Sequence, residues 1–443
     1  MEINWGQWVM SDTQKASVGA DRMNVVWKEQ DIINGHILLA GGSGAGKTFN
    51  IRKIVRAMVQ SASQSIRVHV FDVHDDIDIE GCSEVFFSES SQFGLNPLKV
   101  DPNPHTGGVR KAIQNFISTI NKTSRQLGDR QEAVLRALLT DLYAANGFYA
   151  DRPDTWVLND GVDRKYPKKF PTVEDLYRLS SYKYKAMFVG GNNKTAAKLD
   201  KVNKHAIKMQ RMAREETNVE NNEKFDQLKE DAIHAYTDYV TAIKSGRELD
   251  ELLKFDSKTT LKSVLDRIDN LKSSGIFRNI EPDFSEYNPV WRYRLKALSS
   301  DEKKMFVYFR LKELYDNAIK RGPQENIVEV IVIDEASMFM DQDPDNIISI
   351  MANEIRKFGT ALVCASQAFT HFSLDFMGST ATKIILGIDE LHWEKTSRQL
   401  QLDKKWLEWI IPQRTALVQM KRRVGLSDPT AKVKWFATRL NSG

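Results

Sequence analysis

Cysteine is scarce. Cys82 and Cys364 are the only two in 443 residues, too few for a disulfide framework or a cysteine-ligated zinc cluster, and in keeping with a reducing compartment. No apolar run approaches the roughly 18 residues of a membrane-spanning helix, and Met1 to Met10 carries Glu2 but no basic leader segment. The expectation is a cytoplasmic protein without membrane insertion. Internal repeats and low-complexity tracts are also missing. Charge of one sign is not in excess: Lys and Arg number 63 against 59 Asp and Glu, a net +4, so any site for a polyanion must be a local patch. With 41% apolar and 28% charged residues, the chain reads as globular and long enough to bury a core without staples.

Strand-length apolar runs cluster at the two ends of the sequence, whereas the middle is charged and helix-periodic. This predicts one α/β domain split by a large helical insertion, with boundaries at 1–106, 107–282 and 283–443. In the first part, His36 to Ala40 and Arg67 to Val73 read as strands. Between them, Ile51, Ile54, Val55, Met58 and Val59 form the apolar stripe of a helix, which completes a βαβ unit. In the last part, the runs Glu329–Ile333, Thr360–Ala365, Lys383–Ile388, Thr415–Met420 and Lys432–Ala437 read as strands. The first is almost continuously apolar, as strands covered on both faces of a parallel sheet are. Alternation over Val290–Leu298 adds another strand, and Ser299 with Glu302 has the spacing of a capping box opening a helix. The insertion predicts helices at Val109–Ile120, Gln131–Ala145, Val173–Leu179 and Leu261–Leu271, with a Pro-containing connector over Asp151–Pro171. Within it, 183–256 reads as a charged helical hairpin. Lys194, Lys198, Lys201, Lys208 and Arg211 share one stripe, and Glu215, Glu216, Glu220, Glu223, Asp226, Glu230 and Asp231 follow. Two uses fit it: a solvated hairpin joined by opposite charges, or a basic arm for nucleic acid or a partner.

Residues Gly41, Gly42, Ser43, Gly44, Ala45, Gly46, Lys47 and Thr48 satisfy G-x-x-x-x-G-K-[ST] between a strand and an amphipathic helix, with Phe49 next in line. Such a loop turns backbone N–H groups toward phosphate oxygens, and the new helix adds its positive end. Lys47 then suits the β- and γ-phosphates, and Thr48 suits Mg²⁺. A flexible Gly/Ser turn would explain neither the Lys-Thr pair nor its placement. Asp334 and Glu335 leave the apolar run Val330–Ile333 at the strand edge where α/β sheets bind ligands. Asp334 fits the surroundings of Mg²⁺, and Glu335 fits the orientation and deprotonation of an attacking water. Gln367, after the strand ending near Ala365, is a candidate to sense the γ-phosphate. Arg356 closes a helix whose inner face holds Ile347, Met351 and Ile355. It is a candidate for insertion into a neighbouring subunit's site, with Lys357, Arg398 and Arg414 as rivals. The pairs Asn121-Lys122 and Asn203-Lys204 lack the Asp that guanine reading requires, which argues against a GTPase switch.

The order of these motifs resembles the HerA/FtsK-type ATPases, in particular the HerA, TraG and type IV secretion branch. The resemblance covers roughly residues 24–100 and 258–440. It rests on Asn34–Leu39 leading into the phosphate loop, Phe71-Asp72, Leu95-Asn96-Pro97-Leu98, Leu261–Phe277, Ile333–Ala336, Arg356–Gln367 and Thr382-Lys383-Ile384. Ser337 stands where many relatives have His. Val73-His74-Asp75 replaces the usual neighbourhood of the second-strand acid, so a catalytic part for Asp72 does not carry over. The residues before His36 are expected to be too few for the β-barrel that precedes the HerA motor. The resemblance implies a RecA-like P-loop NTPase fold, ATP and Mg²⁺ as ligands, and hydrolysis in a ring, expected to be a hexamer. It further implies DNA as substrate, with a nuclease or other effector as partner in a mobile-element or antiviral setting. Two other classes fit the residues: a regulatory or scaffold ATPase that gates a partner enzyme, and an energiser of protein secretion.

Overall fold

Strand-forming runs from both ends of the chain assemble into one sheet. In the computed structural model, which describes residues 1–10, 24–158, 168–189, 194–215, 223–242, 257–341, 343, 345–423 and 434–441, eleven strands join it. They are β1 (Glu2–Trp8), β2 (Asn24–Lys28), β3 (Ile37–Ala40), β4 (Arg67–Asp72), β5 (Ser83–Phe86) and β6 (Val290–Arg294). The rest are β7 (Glu329–Ile333), β8 (Thr360–Ser366), β9 (Thr382–Ile385), β10 (Thr415–Met420) and β11 (Phe436–Leu440). Their spatial order is β2-β1-β11-β10-β9-β3-β8-β7-β4-β6-β5. All pairings from β9 to β5 are parallel, and those among β9, β10, β11, β1 and β2 are antiparallel. The sheet is therefore mostly parallel, and every residue of β3, β7, β8 and β9 is buried.

The strands expected from the apolar runs are present, with ends shifted by a few residues. Val290–Leu298 stops as a strand at Arg294, where Leu298 N closes a turn on Leu295 O. Ser299 then caps the next helix as its spacing predicts, accepting from Glu302 N while Glu302 Oε2 accepts from Ser299 N. The terminal strand runs over Phe436–Leu440 rather than 432–437, and positions 432 and 433 lie outside the described residues. Three strands carried no usable signal. In β1, a bulge between Asn4 and Gly6 breaks the period of two, so Ile3, Trp5 and Trp8 are buried without strict alternation. Gly6 is at φ 137°, and a Cβ there would come within 2.1 Å of Arg439 O. β2 and β5 are short, and Glu84 and Phe86 of β5 point to solvent. The chain thus enters the sheet twice before His36.

The helices are α1 (Lys47–Ser61), α2 (Val109–Thr123), α3 (Asp129–Ala145), α4 (Val173–Val189), α5 (Lys194–Glu215) and α6 (Glu223–Ala242). They continue with α7 (Lys258–Ser273), α8 (Ser300–Arg321), α9 (Ile347–Glu354), α10 (Leu374–Ser379), α11 (Trp393–Leu400) and α12 (Lys404–Glu408). The chain divides into two compact units, Met1–Leu95 with Ile280–Gly443, and Asn96–Asn279. The second is helical, with Phe116, Leu138, Leu139, Leu176, Val264 and Ile268 in its core. It takes in residues 96–106, because Tyr143 Oη donates to Leu98 O at 2.9 Å and Asn96 Nδ2 to Pro171 O at 3.1 Å. The charged segment expected at 183–256 contains α5 and α6. Residues 190–193, 216–222 with Glu216 and Glu220, 243–256, and 159–167 of the connector lie outside the described residues.

Inside the sheet unit, polar groups are bonded to one another across the strands. Arg310 Nε donates to Tyr293 Oη at 3.1 Å, His69 Nδ1 lies 3.0 Å from the same hydroxyl, and His69 Nε2 lies 3.3 Å from Glu329 Oε1. Thr360 Oγ1 and Arg321 complete the set on Glu329 Oε2, each at 3.1 Å. His36 is fully buried, and its Nδ1 accepts from Leu362 N at 3.0 Å. Burial, the largest cause, pushes its pKa down from 6.5 to about 4. Protonation would place a proton on the accepting nitrogen, so the unfolded chain takes up that proton first as pH falls. The contribution is complete above pH 6.5 and is lost between about 6.5 and 4, a change on the order of 3 kcal/mol. The thermal midpoint should therefore fall more between pH 7 and pH 5 for the native chain than for His36→Asn, which keeps an acceptor but does not titrate. Parallel pH profiles of the two chains would contradict this assignment.

Candidate functional site

Buried parallel strands can place polar chemistry only where they end. The neighbours β3, β8, β7 and β4 present their carboxyl ends side by side, and these carry in turn Gly41–Thr48, Gln367, Asp334 with Glu335, and Asp72 with the loop that follows it. One cavity of about 520 Å³ collects them. Its walls include Gly42, Ser43, Gly44, Gly46, Lys47, Thr48, Phe49, Asp334, Glu335 and Gln367 from the sequence reading, joined by His74, Asp76 and Gln413.

The glycine loop follows β3 directly. Its first amide, Gly41 N, donates to Ser366 O at 3.1 Å, and Gly42 N donates to Gly387 O at 2.7 Å. Gly44 and Gly46 have φ of 74° and 94°, open to glycine at little cost, and α1 starts at Lys47. Ala45 is buried behind the loop. Lys47 Nζ donates to Gly41 O at 2.9 Å and lies 3.7 Å from Glu335 Oε1. The loop cation and the strand-end acid thus meet across a single cleft.

Glu335 has a left-handed backbone, φ 46° and ψ 47°, at a non-glycine position. A residue held there costs on the order of 1–3 kcal/mol, and such strain gathers at functional sites. Asp334 is buried beside it. Burial first, then the charges of Glu335, Asp76 and Asp72, push its carboxyl up to about 7. Asp72, Asp76 and Asp334 each bring a carboxylate oxygen within 4.8 Å of the others, and Thr48 Oγ1 donates to Asp76 Oδ2 at 3.1 Å. A hydroxyl and two carboxylates around an acid that is hard to ionise suit a hard divalent cation. Thr48, Asp334 and Asp76 are the side chains that could hold one.

Asp72 serves the site differently. It is fully buried, and Arg292 donates to its Oδ2 through Nε at 3.0 Å and Nη2 at 2.8 Å. Its remaining capacity accepts Asp75 N at 2.7 Å, Asp76 N at 3.3 Å and Ile77 N at 2.9 Å. The carboxylate therefore winds the loop that delivers Asp76 to Thr48. Arg294 adds two bonds to Asp75, which sits at φ 65°.

Arg356 does not line this cavity. It precedes β8, at the amino end of the strand whose carboxyl end leads to Gln367, and it is exposed on the wall of another cavity of about 990 Å³. Of its rivals, Lys357 lies beside it, Arg398 is paired with Glu394, and Arg414 is exposed next to Gln413. Asp76, His74 and Gln413 were missed because nothing in their spacing marks them. Asp76 carried a faint signal, as an acid just past a strand end.

No protein-family model matches the chain, and no curated protein sequence does. Among solved structures, VirB4 of Thermoanaerobacter pseudethanolicus matches with a TM-score of 0.57 at 18% identity, over 100% of this chain and 96% of that one. The bacterial conjugative coupling protein TrwB in unbound form matches at TM-score 0.51 and 11% identity, over 99% and 93% of the two chains. The plasmid coupling protein TrwB in complex with ADP and Mg²⁺ matches at the same TM-score and identity, over 99% and 94%. The chain shares its fold with these proteins, an α/β fold around a mostly parallel sheet, as the motif order implied.

Because burial and nearby carboxylates hold Asp334 near 7, a proton competes there with a cation below neutrality. Mn²⁺ affinity should fall by up to about tenfold per pH unit from pH 7 to pH 5. In Asp334→Asn the affinity should be weak and nearly flat with pH. Mn²⁺ titration followed by electron paramagnetic resonance measures both, and an unchanged profile in the variant would remove Asp334 from the cation site.

Proposed function

We propose that this chain is an ATP-hydrolysing motor of the HerA/FtsK type that assembles as a ring, a hexamer, and translocates double-stranded DNA. The observation that carries the reading is the shared cleft, in which Lys47 Nζ lies 3.7 Å from Glu335 Oε1 between a glycine cradle and a buried acid. The triphosphate lies along Gly42–Thr48, whose amides and helix end favour anions. Lys47 neutralises charge on the β- and γ-phosphates. Mg²⁺, held by Thr48, Asp334 and Asp76, supplies further charge neutralisation when bound. Glu335 takes a proton from the attacking water as its oxygen bonds to the γ-phosphorus and the bond to the ADP oxygen breaks. Gln367, exposed at the end of β8, orients that water.

Arg356 completes the catalytic set in the ring. It sits at the opposite end of β8 from the cleft, so it serves a neighbouring subunit's phosphates rather than its own. Such a contact is heterologous and closes cyclically. The likeness to a plasmid coupling protein supports DNA as the cargo. The modest net charge of +4 is compatible with a pore lined by a few cations and with salt-sensitive binding.

Lys47→Ala should weaken nucleotide binding by about 100-fold, the loss of charge-assisted contacts to phosphate. Glu335→Gln should bind ATP normally and hydrolyse it about 10²–10⁴-fold more slowly. Equilibrium binding and steady-state phosphate release separate the two, and normal turnover by Glu335→Gln would refute the base. In the intact chain, hydrolysis should rise several-fold with double-stranded DNA and lose that stimulation at high salt. Stimulation by a partner protein alone would favour a gating scaffold, and copurification with a membrane channel would favour secretion.

Mixing Arg356→Ala with Glu335→Gln subunits should restore activity, since at equal proportions about one interface in four pairs an intact base with an intact arginine. An inactive mixture at every ratio would exclude Arg356 as the trans-acting group.

A further inference from the structure

The connection from β9 to β10 grips the glycine loop at both of its ends. At its start, Gly387 O accepts from Gly42 N at 2.7 Å, and at its close Gln413 Nε2 donates to Gly44 O at 2.8 Å. The two ends lie close together, since a Cβ added at Gly387 would come within 3.3 Å of Pro412 Cγ. Gln413 has φ 64°, one of four positive values at non-glycine positions among the described residues. Glycine or asparagine would suit that backbone better. A glutamine there is explained by what its side chain reaches: the Gly44 carbonyl ahead of it, and the open face of Gly46, where Gln413 Cγ lies 3.6 Å from a Cβ position.

We infer that Gln413 is a positioning residue that latches the phosphate loop, its carboxamide pinning the Gly44 carbonyl so that the loop is shaped before a nucleotide arrives. The inference rests on the nucleotide reading of the cleft given above. A planar peptide ties the direction of the Gly44 carbonyl to that of the Ala45 N–H. Gly44 has no neighbour within 4 Å of a Cβ position, and the Ala45 N–H of the same peptide donates to Gly42 O at 3.2 Å, so two hydrogen bonds, that one and the bond from Gln413, set the direction of the peptide. A carbonyl turned into the cleft would repel phosphate oxygens, and the Gln413 amide adds to the Ala45 N–H bond in holding it away. Such shaping benefits the bound substrate and the transition state alike, so its loss raises KM while kcat changes little.

The test uses the full chain, a fluorescent ATP analogue for equilibrium binding and steady-state hydrolysis for KM and kcat, with Gln413→Asn, Gln413→Gly and Gln413→Glu. Asparagine and glycine accept the positive φ, yet neither reaches Gly44, so their thermal midpoints should match the native chain. Binding should weaken about three- to tenfold in both, the worth of one neutral hydrogen bond, with an equal rise in KM. The Gln413→Glu variant has no proton to donate and brings a carboxylate to the carbonyl, so it should bind most weakly. Native affinity in Gln413→Asn and Gln413→Gly, or a fall in kcat at constant KM, would overturn the latch. Lys47→Ala is the control: if it retains the analogue as well as the native chain, the nucleotide site itself falls. If Lys47 matters and Gln413 does not, only the latch falls.

Discussion

Burial of the parallel strands on both faces is the constraint from which the rest follows. Residues of β3, β7 and β8 have no solvent on either side, so a charge in mid-strand would have to be paired in place. The one acid inside these strands, Glu329, meets that demand through His69, Arg321 and Thr360. Every other charge with chemical use is displaced to the strand ends. The topology makes those ends converge, because β8 lies between β3 and β7 and brings Gln367 between the glycine loop and the acid pair. Adjacency in the sheet replaces adjacency in sequence.

Two acidic residues one strand apart show how environment assigns roles. Asp72 and Asp334 both end apolar strands and both are buried. Asp72 receives two bonds from one arginine on Oδ2 and three backbone amides, so its charge is spent on holding a loop. Asp334 is compensated only by a backbone hydrogen bond from Glu335, which burial and three neighbouring carboxylates outweigh, so its ionisation is resisted. An acid left in that condition invites a cation, whereas a saturated one organises structure. The Arg292 that separates the two cases comes from β6, some 220 residues away in sequence.

Local signals were legible wherever chemistry and period coincide. The glycine loop needs glycines at fixed offsets and a helix behind it, and Val330–Ile333 needs unbroken apolarity, so both could be read directly. The helix caps were equally plain, as the pairing of Ser299 with Glu302 shows. Strands β1 and β5 were not legible, the first because its bulge breaks alternation and the second because a short edge strand leaves half its residues in water. Asp76, faintly marked at most, and Gln413 escaped the sequence for another reason: each acts through a bond to a residue distant in the chain, Thr48 for the one and Gly44 for the other.

By itself the sequence determined the phosphate cradle, the acid pair at the end of an apolar strand, and the interruption of an α/β domain by helices. These depend on residue type and short-range spacing, which backbone stereochemistry converts into local form. Tertiary structure alone decided which strand ends became neighbours, that Asp72 would be neutralised while Asp334 would not, and that the loop before β10 would reach back to the cradle. Those outcomes depend on strand order and on the desolvation that packing imposes, and neither exists until the sheet has closed around its core.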